Sequence, residues 1–235
     1  MITSDKCWMK DKCKKYLNPN KECECRNSDI FCTKLFKLDA LFTNSCLSDN
    51  QRKTTDLQLD QTRKDEGAYH DLAEIKKDIV QFVNEGQNLY IHSSICGNGK
   101  TEWAIKLLQE YFYNIWPETS LTTRGLFINV PRFLLSLKES ISKQSLYIDH
   151  IKDTVLDADL VVWDEVGVKA LTEYEHEHLL NLINTRLDIG KSNIYTSNLS
   201  KDELRTKMGE RLYSRIQNMS KDIEFFGCDK RGLKK

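Results

Sequence analysis

The 235-residue chain carries 35 basic and 35 acidic side chains, a formal net charge of +0, and 40% hydrophobic residues. That apolar share supplies a core and excludes a disordered chain, while the balanced charge leaves nucleic-acid affinity to local patches. No apolar run is long enough to span a bilayer and Met1–Cys7 lacks the apolar stretch of a signal peptide, so the chain reads as a soluble cytoplasmic protein.

The first fifth of the chain is cysteine-rich: Cys7, Cys13, Cys23, Cys25, Cys32 and Cys46 lie there, against only Cys96 and Cys228 beyond it. In a reducing compartment such a cluster is more often a metal site than a disulfide set. Residues 1–48 are too few for a good core, and a metal would explain how they fold. Residues 49–66, polar and charged, read as a linker. From about Tyr69 helices and strands alternate. Leu72, Ile75, Ile79 and Phe82 share one helical face, and Gly86 can stop that helix. Asn88 to His92 is a short strand, and a helix should follow from Lys100 to about Tyr113. Gly125 to Val130 is the second strand, with Pro131 opening the next helix. Leu160 to Trp163 is a continuous apolar strand, as a buried parallel strand should be. Thr172 with Glu175 makes a capping box for a helix ending before Gly190. Ile194 to Thr196 is a fourth strand, Ser200 with Glu203 caps another helix, and Asp222 to Phe226 is the last strand. Strands alternating with helices argue for residues 67–235 as a parallel α/β sandwich.

The chemistry concentrates at strand ends. Ser94-Ile95-Cys96-Gly97-Asn98-Gly99-Lys100-Thr101 has the spacing of a P-loop, with Ser94 in place of the first glycine. Gly97 and Gly99 let backbone N–H groups converge on phosphate at a helix N-terminus. Lys100 can reach the β- and γ-phosphates of ATP, and the Thr101 hydroxyl can sit on Mg2+. The strand Leu160 to Trp163 delivers Asp164 and Glu165 at its C-terminal end, where α/β sheets bind ligands. Asp164 would hold Mg2+ and Glu165 would polarise the attacking water; the bland alternative for Glu165 is a helix-capping acid. Asn198, after the fourth strand, can touch the γ-phosphate, or be an ordinary turn asparagine. Arg211 and Arg215 fall at i and i+4 on one helical face, either a solvated basic surface or arginines offered across a subunit interface.

The order of these motifs, Gly97–Thr101, Trp163-Asp164-Glu165, Thr196-Ser197-Asn198-Leu199-Ser200 and Gly209-Glu210-Arg211 to Arg215, resembles the replicative helicase loaders DnaC and DnaI, in particular the loader-like ATPases of phages and mobile elements of Gram-positive bacteria. The resemblance covers residues 67–235 well. It implies an AAA+ ATPase without the usual helical lid, self-association around ATP, contact with single-stranded DNA, and a replicative hexameric helicase as partner. It makes Arg215 the arginine acting in trans. In Phe226-Gly227-Cys228-Asp229-Lys230-Arg231 it makes Arg231 a sensor arginine. Cys32-Thr33-Lys34-Leu35-Phe36-Lys37-Leu38 resembles the segment after the last metal cysteine of these loaders, which implies Cys7, Cys13, Cys25 and Cys32 as Zn2+ ligands in a helicase-binding module. Cys23 could replace Cys25, and an iron–sulfur cluster is open on the same residues. The rival readings are a transposition-associated ATPase on the same core, a P-loop nucleoside or nucleotide kinase, and an adaptor that uses ATP only as a switch.

Overall fold

The structure, a computed structural model, describes Cys7, Cys13, Leu17, residues 32–53 and residues 62–230. Five strands form one sheet: β1 (Asn88–His92), β2 (Gly125–Asn129), β3 (Leu160–Asp164), β4 (Ser192–Ser197) and β5 (Lys221–Glu224), in the order β2-β3-β4-β1-β5. Every pairing is parallel, so each connection must cross over, and helices supply the crossings. Among the described residues these are α1 (Thr33–Asn44), α2 (Asp49–Arg52), α3 (Glu66–Lys77), α4 (Ile79–Asn84), α5 (Lys100–Ile115), α6 (Val130–Glu139), α7 (Leu146–Thr154), α8 (Glu173–Asp188), α9 (Lys201–Met208) and α10 (Glu210–Asn218). The expected α/β sandwich is therefore present.

The two faces of the sheet bury different sets of side chains, as the period of two in a strand requires. Leu89, Ile91, Leu160, Val162, Ile194 and Ile223 face α1, α3, α4 and α5. Tyr90, Ile128, Val161, Trp163 and Tyr195 face α6, α7, α8, α9 and α10. Both expected capping boxes form, Thr172 with Glu175 on α8 and Ser200 with Glu203 on α9.

Three local outcomes differ from expectation. The helix through Leu72 and Phe82 is two helices, broken at Asp78, whose φ of −110° and ψ of 29° leave helical geometry. Its expected stop holds: Gly86 takes φ 64°, and Gln87 N–H reaches back to Phe82 O at 3.1 Å, a left-handed glycine closing the last turn. A Cβ on Gly86 would lie 2.4 Å from Gly190 O, so the position also needs glycine for space. Secondly, α1 packs into the main core. Leu35, Leu38, Leu41 and Phe42 are buried against α5, and Phe42 meets Phe112 edge to face at 5.3 Å. Just beyond α1, Ser45 O accepts the Phe127 N–H of edge strand β2 at 2.8 Å. Thirdly, residues 49–52 of the expected linker are a helical turn with its own Ser48–Gln51 capping box.

Arg186, on α8, is fully buried. Its Nε donates to Asn193 Oδ1 (2.8 Å), Nη1 to Val155 O (2.5 Å) and Ala158 O (2.7 Å), and Nη2 to Ser192 O (2.6 Å). One guanidinium thus ties α8 to the end of α7, the entrance of β3 and the start of β4. Burial pulls its pKa down to about 10.

Candidate nucleotide site

The connection from β1 to α5 folds as a phosphate loop. Gly97 and Gly99 adopt φ of 74° and 106°, the left-handed region that glycine enters without cost. Ser94 is not among the positive-φ residues, so the first position of this loop needs no glycine, which is why serine is tolerated there. Ser93 and Asn98 brace the loop from inside: Ser93 Oγ accepts from Ile95 N–H (3.0 Å) and Asn98 Nδ2 (2.8 Å). Lys100, buried at the first position of α5, donates Nζ to Ile95 O (2.7 Å) and Asn98 Oδ1 (2.8 Å). Its ammonium thus faces the loop interior, beneath where backbone N–H groups converge. Ile95 and Cys96 are exposed at the tip.

The acids meet this loop because β3 lies two strands from β1. Thr101 Oγ1 donates to Asp164 Oδ1 at 2.7 Å. Hydroxyl and carboxylate are hard oxygen donors of the kind Mg2+ takes, so Thr101 and Asp164 would suit it. Asp164 is buried, which raises its pKa; the hydrogen bonds from Thr101 and Thr196 oppose the shift, the neighbouring Glu165 charge adds to it, and Asn129 opposes it. Glu165 follows at φ 61°. It lines an open cleft of ≈ 150 Å³ together with Gly97, Gly99, Lys100, Thr101 and Asn198. Asn198 thus shares the cleft with the phosphate loop and Glu165.

Two further residues meet at this centre: Asn129, outside every motif, and Thr196, the first residue of the Thr196–Ser200 stretch. Asn129, at the end of β2, is opposite Asp164 in the β2–β3 register. Its Nδ2 contacts Asp164 Oδ2 at 3.3 Å and Glu165 Oε2 at 3.0 Å, while its Oδ1 caps α6 through Arg132 N–H. Thr196 bonds Asp164 Oδ1 through its hydroxyl at 2.8 Å. The signal that could have found both is the strand register, since Asn129 ends β2 and Thr196 stands next to last in β4, each beside β3.

The remaining candidates fall elsewhere. Arg211 and Arg215 are exposed on α10, whose Leu212 and Ile216 are buried, and neither lines the cleft of its own chain. Arg231 lies outside the described residues, but the segment leading to it runs along the phosphate loop. Asp65 Oδ1 accepts the Phe226 and Gly227 N–H groups (2.7 and 2.9 Å), and Lys230 N–H bonds Gly97 O at 2.9 Å. Of the zinc candidates, Cys23 and Cys25 lie outside the described residues. Among the described residues no three His, Cys, Asp or Glu side chains gather as a metal site, so Cys7, Cys13 and Cys32 do not form one together. Cys32 has another task here: its Sγ accepts Leu35 N–H at 3.4 Å and caps α1. No described helix is long and apolar enough to cross a membrane.

Comparison with known proteins bears on the whole arrangement. The profile of a family described as IstB-like ATP binding protein matches residues 37–215, well over half of the chain and beginning within α1. No curated protein matches significantly. Among solved structures, the DnaC helicase loader superposes with a TM-score of 0.61 at 19% identity, over 76% of this chain and 100% of that one. DnaI gives 0.58 at 20% identity, over 80% and 95%. The replication initiator DnaA bound to AMPPCP and single-stranded DNA gives 0.56 at 17% identity, over 77% and 51%.

Proposed function

The chain belongs to the IstB-like ATP-binding family and is an AAA+ ATPase, and from that premise we propose that it loads a replicative hexameric helicase onto single-stranded DNA, using ATP bound between its own subunits. The observation that carries the enzymatic part is the convergence of Thr101, Asp164, Glu165 and Asn198 on the mouth of the phosphate loop. Phosphoryl transfer depends on positioning and charge compensation, and this cleft has both. Lys100 and the loop amides hold ATP, Thr101 and Asp164 hold Mg2+, Glu165 orients water and Asn198 senses the terminal phosphate.

The replication part rests on likeness of fold to DnaC and DnaI across most of both chains. In this reading Arg215 of one subunit completes the site of the next, which accords with its exposure away from its own cleft. In the same reading Arg231, which follows Lys230 in the chain, is the sensor arginine. Residues 67–235 together with α1 are the ATPase, and the segment before α1 is the helicase contact. The family match keeps one second reading alive, an ATPase serving a transposase on the same core.

The test uses the full chain, a purified hexameric helicase and circular single-stranded DNA, which a closed ring cannot thread. A loader raises ATP-dependent recovery of helicase on the circle, and Lys100→Ala abolishes the gain. Turnover with no transfer of helicase to the circle refutes loading. Phosphate appearing on an added nucleoside instead of in solution refutes the ATPase reading in favour of a kinase.

A further inference from the structure

We infer that Thr196 is a positioning residue for ATP hydrolysis, one hydroxyl at the end of β4 that orients both acids at the end of β3. The inference rests on the roles given to Asp164 and Glu165 above and adds a residue to them.

The placement follows from the sheet. β3 and β4 pair with Val162 opposite Ile194 and Trp163 opposite Tyr195. Side chains alternate along a strand, so Asp164 and Thr196 come next on the face that carries Val162, Ile194 and α5. Thr101 opens α5 on that same face. Asp164 Oδ1 therefore receives two hydroxyls, Thr101 at 2.7 Å and Thr196 at 2.8 Å.

The Thr196 oxygen also accepts the Glu165 N–H at 3.0 Å. A hydroxyl has one proton and two lone pairs. The amide can only donate and an ionised Asp164 can only accept, so the relay runs from the Glu165 amide through Oγ1 to Oδ1, and neither link can reverse. Thr196 is almost fully buried, which leaves no solvent to substitute for it. Its carbonyl accepts the Val166 N–H at 2.8 Å, so Asp164, Glu165 and Val166 are all fastened to this one residue.

The need for such fastening is visible in Glu165. Its φ of 61° is left-handed, a conformation that a side chain with Cβ keeps only where the surroundings hold it. Its amide accordingly bonds a hydroxyl, and its carboxylate is held separately by Asn129. Remove the hydroxyl and the amide loses its acceptor, the backbone relaxes, and the carboxylate swings from the point where water must stand. ATP itself is held by the loop and Lys100, which Thr196 does not touch.

The experiment measures steady-state ATP turnover and AMPPCP affinity on the full chain for the wild type and for Thr196→Val, Thr196→Ala, Thr196→Ser and Glu165→Gln. Thr196→Val preserves shape without the hydroxyl, and Thr196→Ala removes hydroxyl and methyl together, without risk of a clash, should valine fail to fold. A misplacement of about 1 Å costs about a hundredfold in rate, so kcat in both should fall roughly 10- to 100-fold with KM and AMPPCP affinity within about twofold of wild type. Thr196→Ser, which keeps the hydroxyl, should recover most of the rate. Wild-type turnover in Thr196→Val or Thr196→Ala overturns the proposal. So does a serine variant as slow as valine, which would make the methyl group the important part, or AMPPCP affinity falling in step with kcat. Glu165→Gln is the separate arm: normal turnover there refutes the role of Glu165 itself, whatever Thr196 does.

Discussion

Replacing Arg186 by methionine tests whether one buried guanidinium holds one end of the sheet together. Methionine fills much the same volume but donates nothing. It orphans the carbonyls of Val155, Ala158 and Ser192, whereas Asn193 Oδ1 keeps the Trp163 indole N–H at 3.0 Å. A buried acceptor without a donor costs about 2 kcal/mol, so the three cost about 6 kcal/mol. Against this, the native fold bears the cost of a buried cation, whose pKa falls from 12.5 to about 10, and removing the charge relieves about 3 kcal/mol. The net loss is about 3 kcal/mol, or a drop in Tm of about 6–12 °C for a chain of this size. Urea and thermal unfolding without nucleotide measure it directly, since bound ATP would mask part of the loss. Arg186→Lys should be nearly as unstable, because one ammonium cannot reach acceptors on three separate segments. A methionine variant within about 1 kcal/mol of wild type would show that these carbonyls find other donors, and the reasoning would fail.

Lys100→Ala should lose ATP binding in a filter or calorimetric assay, because the loop loses its cation; tight binding by that variant would overturn the nucleotide site. Arg215→Ala should bind ATP and not hydrolyse it, and mixing it with Lys100→Ala should restore some turnover if each subunit lends an arginine to the next; a normal rate in Arg215→Ala alone would show that the site is not shared. Burial holds His92 below its ordinary pKa of 6.5, with Asp222 and Glu224 opposing. The unfolded chain then takes up a proton near pH 6.5 that the folded chain resists, so stability should fall on acidification below that pH. His92→Phe, which keeps the stacking on Tyr90, should flatten that fall in urea titrations at pH 5.5 and 7.5; an unchanged slope would assign it to other groups.

What was legible in the sequence was what is local. The loop from Ser94 to Thr101, the Thr172–Glu175 and Ser200–Glu203 capping boxes and the apolar strand before Asp164 each sit within a few consecutive residues, and each appears in the structure where the pattern places it. Asn129 was not legible, because nothing in its own neighbourhood marks it, and Thr196, though it opens the Thr196–Ser200 stretch, gave no sign there of its contact with the acids. They matter through register, one opposite Asp164 on β2 and the other beside it on β4, and register belongs to the sheet as a whole. The helix α1 was hidden for another reason. Cys32 drew the segment into a metal reading, although Leu35, Leu38 and Leu41 recur at the spacing of a buried helical face. Asp78 shows the limit of periodicity itself, since the apolar face continues across the break while the backbone does not.

The sheet edges constrain how copies of this chain can meet. A strand at the margin of a sheet offers unpaired amides and carbonyls as a template for a further strand. On the β2 side the Phe127 amide is already taken by Ser45, and α1 lies against that strand. On the other side β5 is only four residues long and exposes Lys221, Asp222 and Glu224, a short charged margin that repels continuation. Extension of the sheet from one molecule to the next is thus blocked at both margins. On the proposed reading, in which copies gather around ATP, they would join through helices and loops and leave every sheet whole.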